Sequence, residues 1–572
     1  MSIYGEIQKS IQNQVENLLC NSQSFVNLLQ FNSTVRSYVN TQLINMAIAK
    51  APSRPYPLST LSDYTSWDSL TDRTYSGRHL HPVSQAEVDK LPDIEKEVLP
   101  LFKRPKSGMR PCKKSTVLFS YFAQWFTDAF LRTTRQQGNL DYDPKLRNTS
   151  PHDVDLSNLY GLKWNAFGQP KNDMQHLRSM QGGTLKSQDI NGEEYPPYYY
   201  DANGQPKDEF KPLSMTDLNP VFSMMMGGRD PLDKNLFAMG GDRLNAQIGF
   251  AAMNTLFLRE HNRICGLLRK QYPQWDDEQL FQTARNINIG VLAKVVIEEY
   301  INHISPFRFQ FRLEPGRFER QSWYRTNWMT IEFNLLYRWH SLVPDKYRMR
   351  CVPESPELLA LVELPIQDTM FNNCLLTERG LGGVLEDASR QTAGEIGLLN
   401  TTEWLLLFER SSLQLGRRAR LPGYNAYREL TGRRPARDFA EISTNDEVCL
   451  RLKEVYKTVD QVEFYTGIFA EPVIANAALA GLTGDLVAID AFSQALTNPL
   501  LSKRLFSKKT FTEVGMEVIA STTRLSDMLH RNLPGKGQQY YLSMTRDEKE
   551  LRDDRRVITS ARQTAGAVGG GA

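Results

Sequence analysis

Apolar residues recur at three- and four-residue spacing through most of the chain, and strand-like alternation is rare. Between residues 18 and 50, Leu18, Leu19, Phe25, Val26, Leu28, Leu29, Phe31, Val35, Val39, Leu43, Ile44, Met46 and Ile48 outline short amphipathic helices, with Asn, Gln and Ser between them. Ala51–Pro57 breaks the pattern. Such helices either pack on a core or lie in a membrane interface, and the scarcity of basic residues weakens the second reading. The segment from Ser115 to Arg132 predicts a helix with Leu118, Phe119, Phe122, Phe126 and Phe130 inside. Another is expected over Gly249–Lys270. A third starts where Asp276 stands three before Gln279, as in a capping box, and Leu280, Ala284, Ile287, Val291 and Val295 form its core face. A fourth runs from Ile331 to His340. The expected protein is mainly α, with long Pro/Gly-rich connections such as 133–220. Its parts are an N-terminal segment (1–17), the amphipathic helices (18–57), a large body (58–537) and a polar, partly disordered tail (538–572).

Charge and cysteine content narrow the class. Lys and Arg number 68 against 65 Asp and Glu, and the resulting +3 gives no electrostatic argument for nucleic acid. No run of 18 apolar residues predicts a transmembrane helix. Met1-Ser2-Ile3-Tyr4-Gly5-Glu6 lacks the basic region and apolar core of a secretory signal. The six cysteines are scattered without a C-x-x-C pair, so neither zinc nor a disulfide framework is signalled. A cytoplasmic or peripheral-membrane location is the expectation. With only eight histidines, few candidates exist for a metal ligand.

The candidate chemistry centres on Tyr337-Arg338-Trp339-His340-Ser341-Leu342-Val343-Pro344-Asp345. On a helix, Tyr337 and His340 would share one face. A histidine there can ligate a haem iron, and a tyrosine beside it can exchange an electron with that haem. Taken alone, Tyr-x-x-His describes a buried helix end with a satisfied histidine. Further segments change the weighting: Asp63-Tyr64-Thr65-Ser66-Trp67, Phe122-Ala123-Gln124-Trp125-Phe126-Thr127-Asp128, His152-Asp153-Val154-Asp155-Leu156, Gly192-Glu193-Glu194-Tyr195-Pro196-Pro197, Leu258-Arg259-Glu260-His261-Asn262-Arg263, Asp277-Glu278-Gln279-Leu280-Phe281-Gln282-Thr283, Ile297-Glu298-Glu299-Tyr300, Glu463-Phe464-Tyr465 and Phe511-Thr512-Glu513-Val514-Gly515. Over roughly residues 17 to 530 this series resembles the cyclooxygenases (prostaglandin endoperoxide synthases) and related fatty-acid haem dioxygenases of the animal haem peroxidase superfamily.

The resemblance implies a helical haem peroxidase fold, one haem b per chain between the Gln124–Asp128 helix and the His340 helix, and a homodimer. His340 would be the axial iron ligand, with Tyr465 as the partner of its second nitrogen. Tyr337 would be the radical that takes a bis-allylic hydrogen from a polyunsaturated fatty acid before O2 adds. Phe333, Leu336, Trp339 and Tyr300 would line the substrate channel, and Asn334 would be structural. The family's distal Gln-x-x-x-His becomes Gln124 and Asp128 here. An ionised carboxylate is a poor proton relay, so weak peroxidase activity is expected. Two alternatives are a buried Asp128 acting as acid and base, and an Asp128 ester to the haem. At the carboxylate end Lys50 and Phe307 replace the family's arginine and tyrosine, with Arg54 or Arg308 as substitute charges and a solvated lysine as the alternative for Lys50. Ser493 resembles the serine acetylated by aspirin in mammalian members; the alternative is a plain loop serine. The family's amino-terminal growth-factor module and carboxyl-end disulfide pair are not seen. Arachidonate conversion to a hydroperoxy endoperoxide is the first functional expectation. A linear dioxygenase acting on C18 or C20 chains is the second, and a non-lipid haem peroxidase the third.

Overall fold

In the computed structural model, residues 14–51, 56, 58–136, 141–218, 235–326, 328–351, 360–533, 535 and 539–547 are described. Arg54 and most of the polar tail lie outside them. The expected helices form where the apolar pattern placed them. Asp276 caps its helix, accepting from the Gln279 N–H at 2.7 Å, and the helix runs Asp277–Val295. It continues into a π-helical turn, Val296–Ile301, of the kind that often marks functional sites. The long helix Ile248–Gln271 starts at Gln247, whose side chain accepts from the Gly249 N–H. Gly249 is needed there: a Cβ on it would sit 2.2 Å from the Tyr121 ring. This close approach brings the helix Val117–Asp128 against Ile248–Gln271. The former is shorter than the expected 115–132, because Ser115 and Thr116 end a strand, Pro111–Thr116, that pairs antiparallel with Thr392–Gly394. The four sheets among the described residues each have two strands, so one continuous apolar core is held almost wholly by helices.

The fourth expected helix is cut short. Thr330 caps it, accepting from the Phe333 N–H at 2.9 Å, but the helix ends at Leu336. Tyr337 takes φ −99°, ψ 16° and Trp339 takes φ −88°, ψ 51°, after which His340–Leu342 makes a 3₁₀ turn. Tyr337 and His340 therefore do not share a helix face. The turn carrying His340 is pinned by Gly394, where a Cβ would lie 2.0 Å from the Ser341 carbonyl oxygen. Only glycine lets the strand press so closely on that turn.

At the amino-terminal end, Gln23–Phe31 and Ser33–Ala49 are capped by the side chains of Ser22 and Asn32. They bury Val26, Ile44 and Ile48, and the second packs on the helix Gly481–Leu496. Leu28, Phe31 and Tyr38 stay exposed, Phe31 at 93%. Among the described residues no helix is long and apolar enough to cross a membrane.

Candidate active site

The break after Leu336 turns Trp339 and His340 into a cavity that Tyr337 and Arg338 also line. The facing wall is built by Gln124 and Asp128 from Val117–Asp128, with Arg135, Arg243 and Gln247. Thus the helix carrying the expected distal pair and the turn carrying the expected iron ligand meet across one space.

On the His340 side, the imidazole is held by two neighbours from the helix Leu406–Arg418. Phe408 stacks on its ring, centroids 5.6 Å apart and planes 29° from parallel. Glu409 Oε1 lies 3.2 Å from Nδ1, within ion-pair distance but off the line of an ordinary hydrogen bond. Tyr465 is not the direct partner of His340. Its hydroxyl donates to Glu409 Oε2 at 2.5 Å, while the Thr401 hydroxyl donates to Oε1 at 2.7 Å. The buried carboxylate stands between tyrosine and histidine because the helix Phe464–Ala470 aims Tyr465 at Glu409. Sequence reasoning missed Glu409; the available signal was a charged residue in the buried stripe with Leu413.

The opposite wall uses its carboxylate differently. Asp128 accepts from Arg243 Nη1 at 2.7 Å and from Arg132 Nη1 at 3.2 and 3.3 Å. Arg132 also pairs with Asp242, whose second oxygen is 3.7 Å from Arg243 Nε. Two aspartates and two arginines close a buried, formally neutral quartet. Both Asp128 oxygens accept from guanidinium groups while the side chain lines the cavity. Gln124 is likewise engaged, accepting from Gln247 Nε2 at 2.7 Å.

Tyr337 is buried, its ring edge-on to Phe333 at 5.0 Å and 4.7 Å from Trp339. Its hydroxyl faces that of Tyr300 without closing a hydrogen bond of ordinary geometry, and burial pushes the phenol well above its usual range. Phe333, Leu336 and Tyr300 pack around Tyr337 and line neither this cavity nor the one described next, while Trp339 lines the His340 side because the helix ends before it. Asn334 donates to Thr133 Oγ1 at 3.2 Å, accepts from Arg338 and lines the cavity.

A second cavity, of about 520 Å³, is lined by Lys50, Phe307, Phe311, Arg433, Asp485 and Phe492, together with Leu43 and Met46 of the amphipathic helices. That volume is within the range of small-molecule sites. Lys50 Nζ pairs with Asp485 Oδ1 at 2.7 Å, and Arg433 takes Oδ2 at 2.7 and 2.8 Å. Arg308 is committed elsewhere, donating to the Cys20 carbonyl at 3.1 Å. The π turn links the two regions: Tyr300 faces Tyr337, while Ile301 and nearby Ile304 line the second cavity. Ser493 lies in neither cavity and is not a loop residue. It sits in the helix Gly481–Leu496, its hydroxyl returned to the Ile489 carbonyl at 2.7 Å.

The His340 cavity fits a haem by three features. First, His340 lines it and its Nε2 makes no hydrogen bond among the described residues. Other buried histidines are tied up: burial holds His152 at about 3 and His261 at about 4, with ring nitrogens engaged by Arg73 and Met329 and by Tyr160 and Gly183. Second, Trp339, Leu342, Val343, Trp404 and Phe408 supply apolar walls. Third, Arg135, Arg243 and Arg338 form a basic rim suited to carboxylates. Their effect reaches buried Tyr142: burial alone would raise its phenol, but Arg135, then Arg338 and Arg243, bring it down to about 8.

A sequence profile described as animal haem peroxidase matches residues 112–542. The chain belongs to the animal haem peroxidase family. Prostaglandin G/H synthase 1 of Rattus norvegicus is 30% identical over 495 residues, spanning 85% of this chain and 75% of that protein. The Canis lupus familiaris prostaglandin G/H synthase 1 is 32% identical over 472 residues, 81% and 71% of the two chains. The fold of the fatty acid alpha-dioxygenase from Arabidopsis thaliana superposes with a TM-score of 0.67 at 17% identity, over 90% of this chain and 88% of that one. The chain is thus an oxidoreductase whose relatives include prostaglandin G/H synthases and whose fold matches that of a fatty acid alpha-dioxygenase.

Proposed function

We propose that the protein is a haem-dependent oxygenase of polyunsaturated fatty acids that uses Tyr337 as a hydrogen-abstracting radical. One observation carries this reading: a buried tyrosine stands between a cavity presenting a histidine nitrogen and the packed region leading to a second, partly apolar cavity. Haem b, one per chain, would be held by His340 with its carboxylates on the arginine rim, and when bound it supplies the one-electron oxidant of Tyr337.

The chain's own residues perform the rest. The tyrosyl oxygen takes a bis-allylic hydrogen atom, re-forming Tyr337–OH and leaving a carbon radical. O2 adds at one end of the delocalised radical. For the endoperoxide the peroxyl radical closes onto the carbon chain and a second O2 adds to the new carbon radical; for the linear product neither happens. In both cases the last peroxyl radical recovers a hydrogen atom from Tyr337, regenerating the tyrosyl. The reaction is favourable because the phenolic O–H is a little stronger than the doubly allylic C–H, so the protein chiefly positions the carbon chain. Phe333 and Tyr300 hold the Tyr337 ring from the packed side, and Trp339 braces it from the cavity side. At the second cavity Lys50 and Arg433 share Asp485, with Glu16 also in the lining, so a fatty-acid carboxylate would take the place of Asp485 on these two cations. Phe307 lines the same cavity without the hydroxyl that the family's tyrosine would offer. That cavity borders the helix Ser33–Ala49, whose Tyr38 is exposed near the exposed Leu28 and Phe31 of the preceding helix, so substrate enters from a lipid surface on which these side chains rest. Asp128, locked in its quartet, relays protons poorly, so the hydroperoxide product largely survives.

The preferred substrate is arachidonate and the preferred product a hydroperoxy endoperoxide. Haem-loaded protein is given arachidonate or linoleate under labelled O2, and products are identified by mass spectrometry. Two labelled O2 molecules in one arachidonate product support cyclisation; one supports a linear dioxygenase. Uptake undiminished in Tyr337→Phe overturns the radical assignment.

A further inference from the structure

We infer that Glu409 is a positioning residue that sets the orientation and electron-donating strength of the His340 imidazole toward a bound haem iron. This rests on the reading that His340 is the axial ligand. Two side chains of one helix hold the histidine. Phe408 covers one face of the imidazole, and Glu409, its neighbour in sequence, meets the Nδ1 edge at 3.2 Å. With Nδ1 at the carboxylate edge, Nε2 is the nitrogen left for a ligand in the cavity that His340 lines. An acceptor on the far nitrogen of a ligating histidine fixes its tautomer and raises its basicity, more so when the acceptor is anionic.

The two hydroxyls on the same carboxylate make the effect adjustable. Tyr465 and Thr401 each donate to Glu409 and draw charge away from the oxygens facing His340. Glu409 therefore strengthens the histidine as a donor, and Tyr465 moderates it. The sequence pairing of Tyr465 with His340 becomes an indirect one, with opposite sign to that of Glu409. A stronger proximal donor favours ferric over ferrous iron.

The test uses haem-loaded full chain and reads haem affinity, the ferric/ferrous midpoint potential and the ferrous iron–imidazole stretching frequency. Glu409→Gln, which keeps an acceptor but removes the charge, is expected to raise the potential and lower the stretching frequency. Glu409→Ala is expected to do so more strongly, with haem affinity down about 10–100-fold. Tyr465→Phe is expected to shift potential and frequency the opposite way. Unchanged potential and frequency in Glu409→Gln, or shifts of the same sign in Glu409→Gln and Tyr465→Phe, overturn the inference. His340→Ala checks the underlying reading separately: if it binds haem like the unaltered chain, the ligand assignment itself is wrong. Circular dichroism establishes that each variant is folded, and Glu409→Gln with Tyr465→Phe decide the matter if Glu409→Ala is not.

Discussion

The two walls of the His340 cavity each carry a buried carboxylate, and their partners give them opposite roles. On one wall Glu409 receives neutral hydroxyls from Tyr465 and Thr401 and keeps an oxygen against His340. On the other, Asp128 is taken up by the guanidinium groups of Arg132 and Arg243. A hydroxyl partner leaves a carboxylate with charge to offer a third group; a pair of arginines uses it up. The role of an acidic residue at a cavity thus depends less on its presence than on which donors reach it first.

The largest effects should come from residues on which both walls depend. His340→Ala should abolish haem binding, seen as loss of the Soret band on titration. Tyr337→Phe should keep that band and lose labelled O2 uptake, which separates cofactor assembly from radical chemistry. The contrast between walls is tested next by Asp128→His, expected to raise peroxide turnover with a phenolic donor by 10²-fold or more, the lower end of what a general acid–base group contributes. No increase would mean that the distal carboxylate does not limit peroxide chemistry. Opening the quartet from its other side, Arg132→Ala leaves Asp128 and Asp242 buried with one fewer partner and should cost about 3–5 kcal/mol in urea unfolding.

Two glycines sharpen the comparison at smaller scale. A methyl at Gly394 meets the Ser341 carbonyl and a methyl at Gly249 meets Tyr121. Gly394→Ala and Gly249→Ala should each cost about 1–3 kcal/mol by overpacking. The first displaces the turn of His340 and the second pushes Tyr121 on the cavity wall, so Gly394→Ala should shift the haem spectrum more than Gly249→Ala. The smallest effect is a pH dependence. Tyr142, at about 8 in the folded chain against about 10 for a free phenol, binds fewer protons than in the unfolded chain between those values. Its contribution to stability is absent below pH 8 and grows with pH up to about 10, with a slope of at most about 1.4 kcal/mol per unit. Tyr142→Phe should remove a tyrosinate absorbance step near pH 8. Haem carboxylates on the same arginines should move that step upward in the loaded protein.

Much of the helical frame was legible, and the reasons are local. The Asp276 cap follows from a side chain reaching a backbone N–H three residues on. The apolar face of Val117–Asp128 follows from spacing, as does the neighbourhood of Gln124 and Asp128 on one wall. What spacing could not supply was the break at Tyr337. A helix extrapolated from Ile331 to His340 put the tyrosine and histidine side by side on one face; the chain instead turns between them. Nor could spacing find partners from afar. Arg243 stands 115 positions from Asp128, and Glu409 lies 56 positions from Tyr465.

By itself the sequence determined the helical class, the family and the residue types available for chemistry, because these depend on periodicity and on motifs read within one segment. Tertiary structure alone decided which donors each carboxylate meets, where Lys50 finds its counter-ion and how His340 is aimed. Those choices depend on distances between segments remote along the chain, and an ion pair or hydrogen bond is set by the last ångström of approach rather than by the identity of the residues that make it.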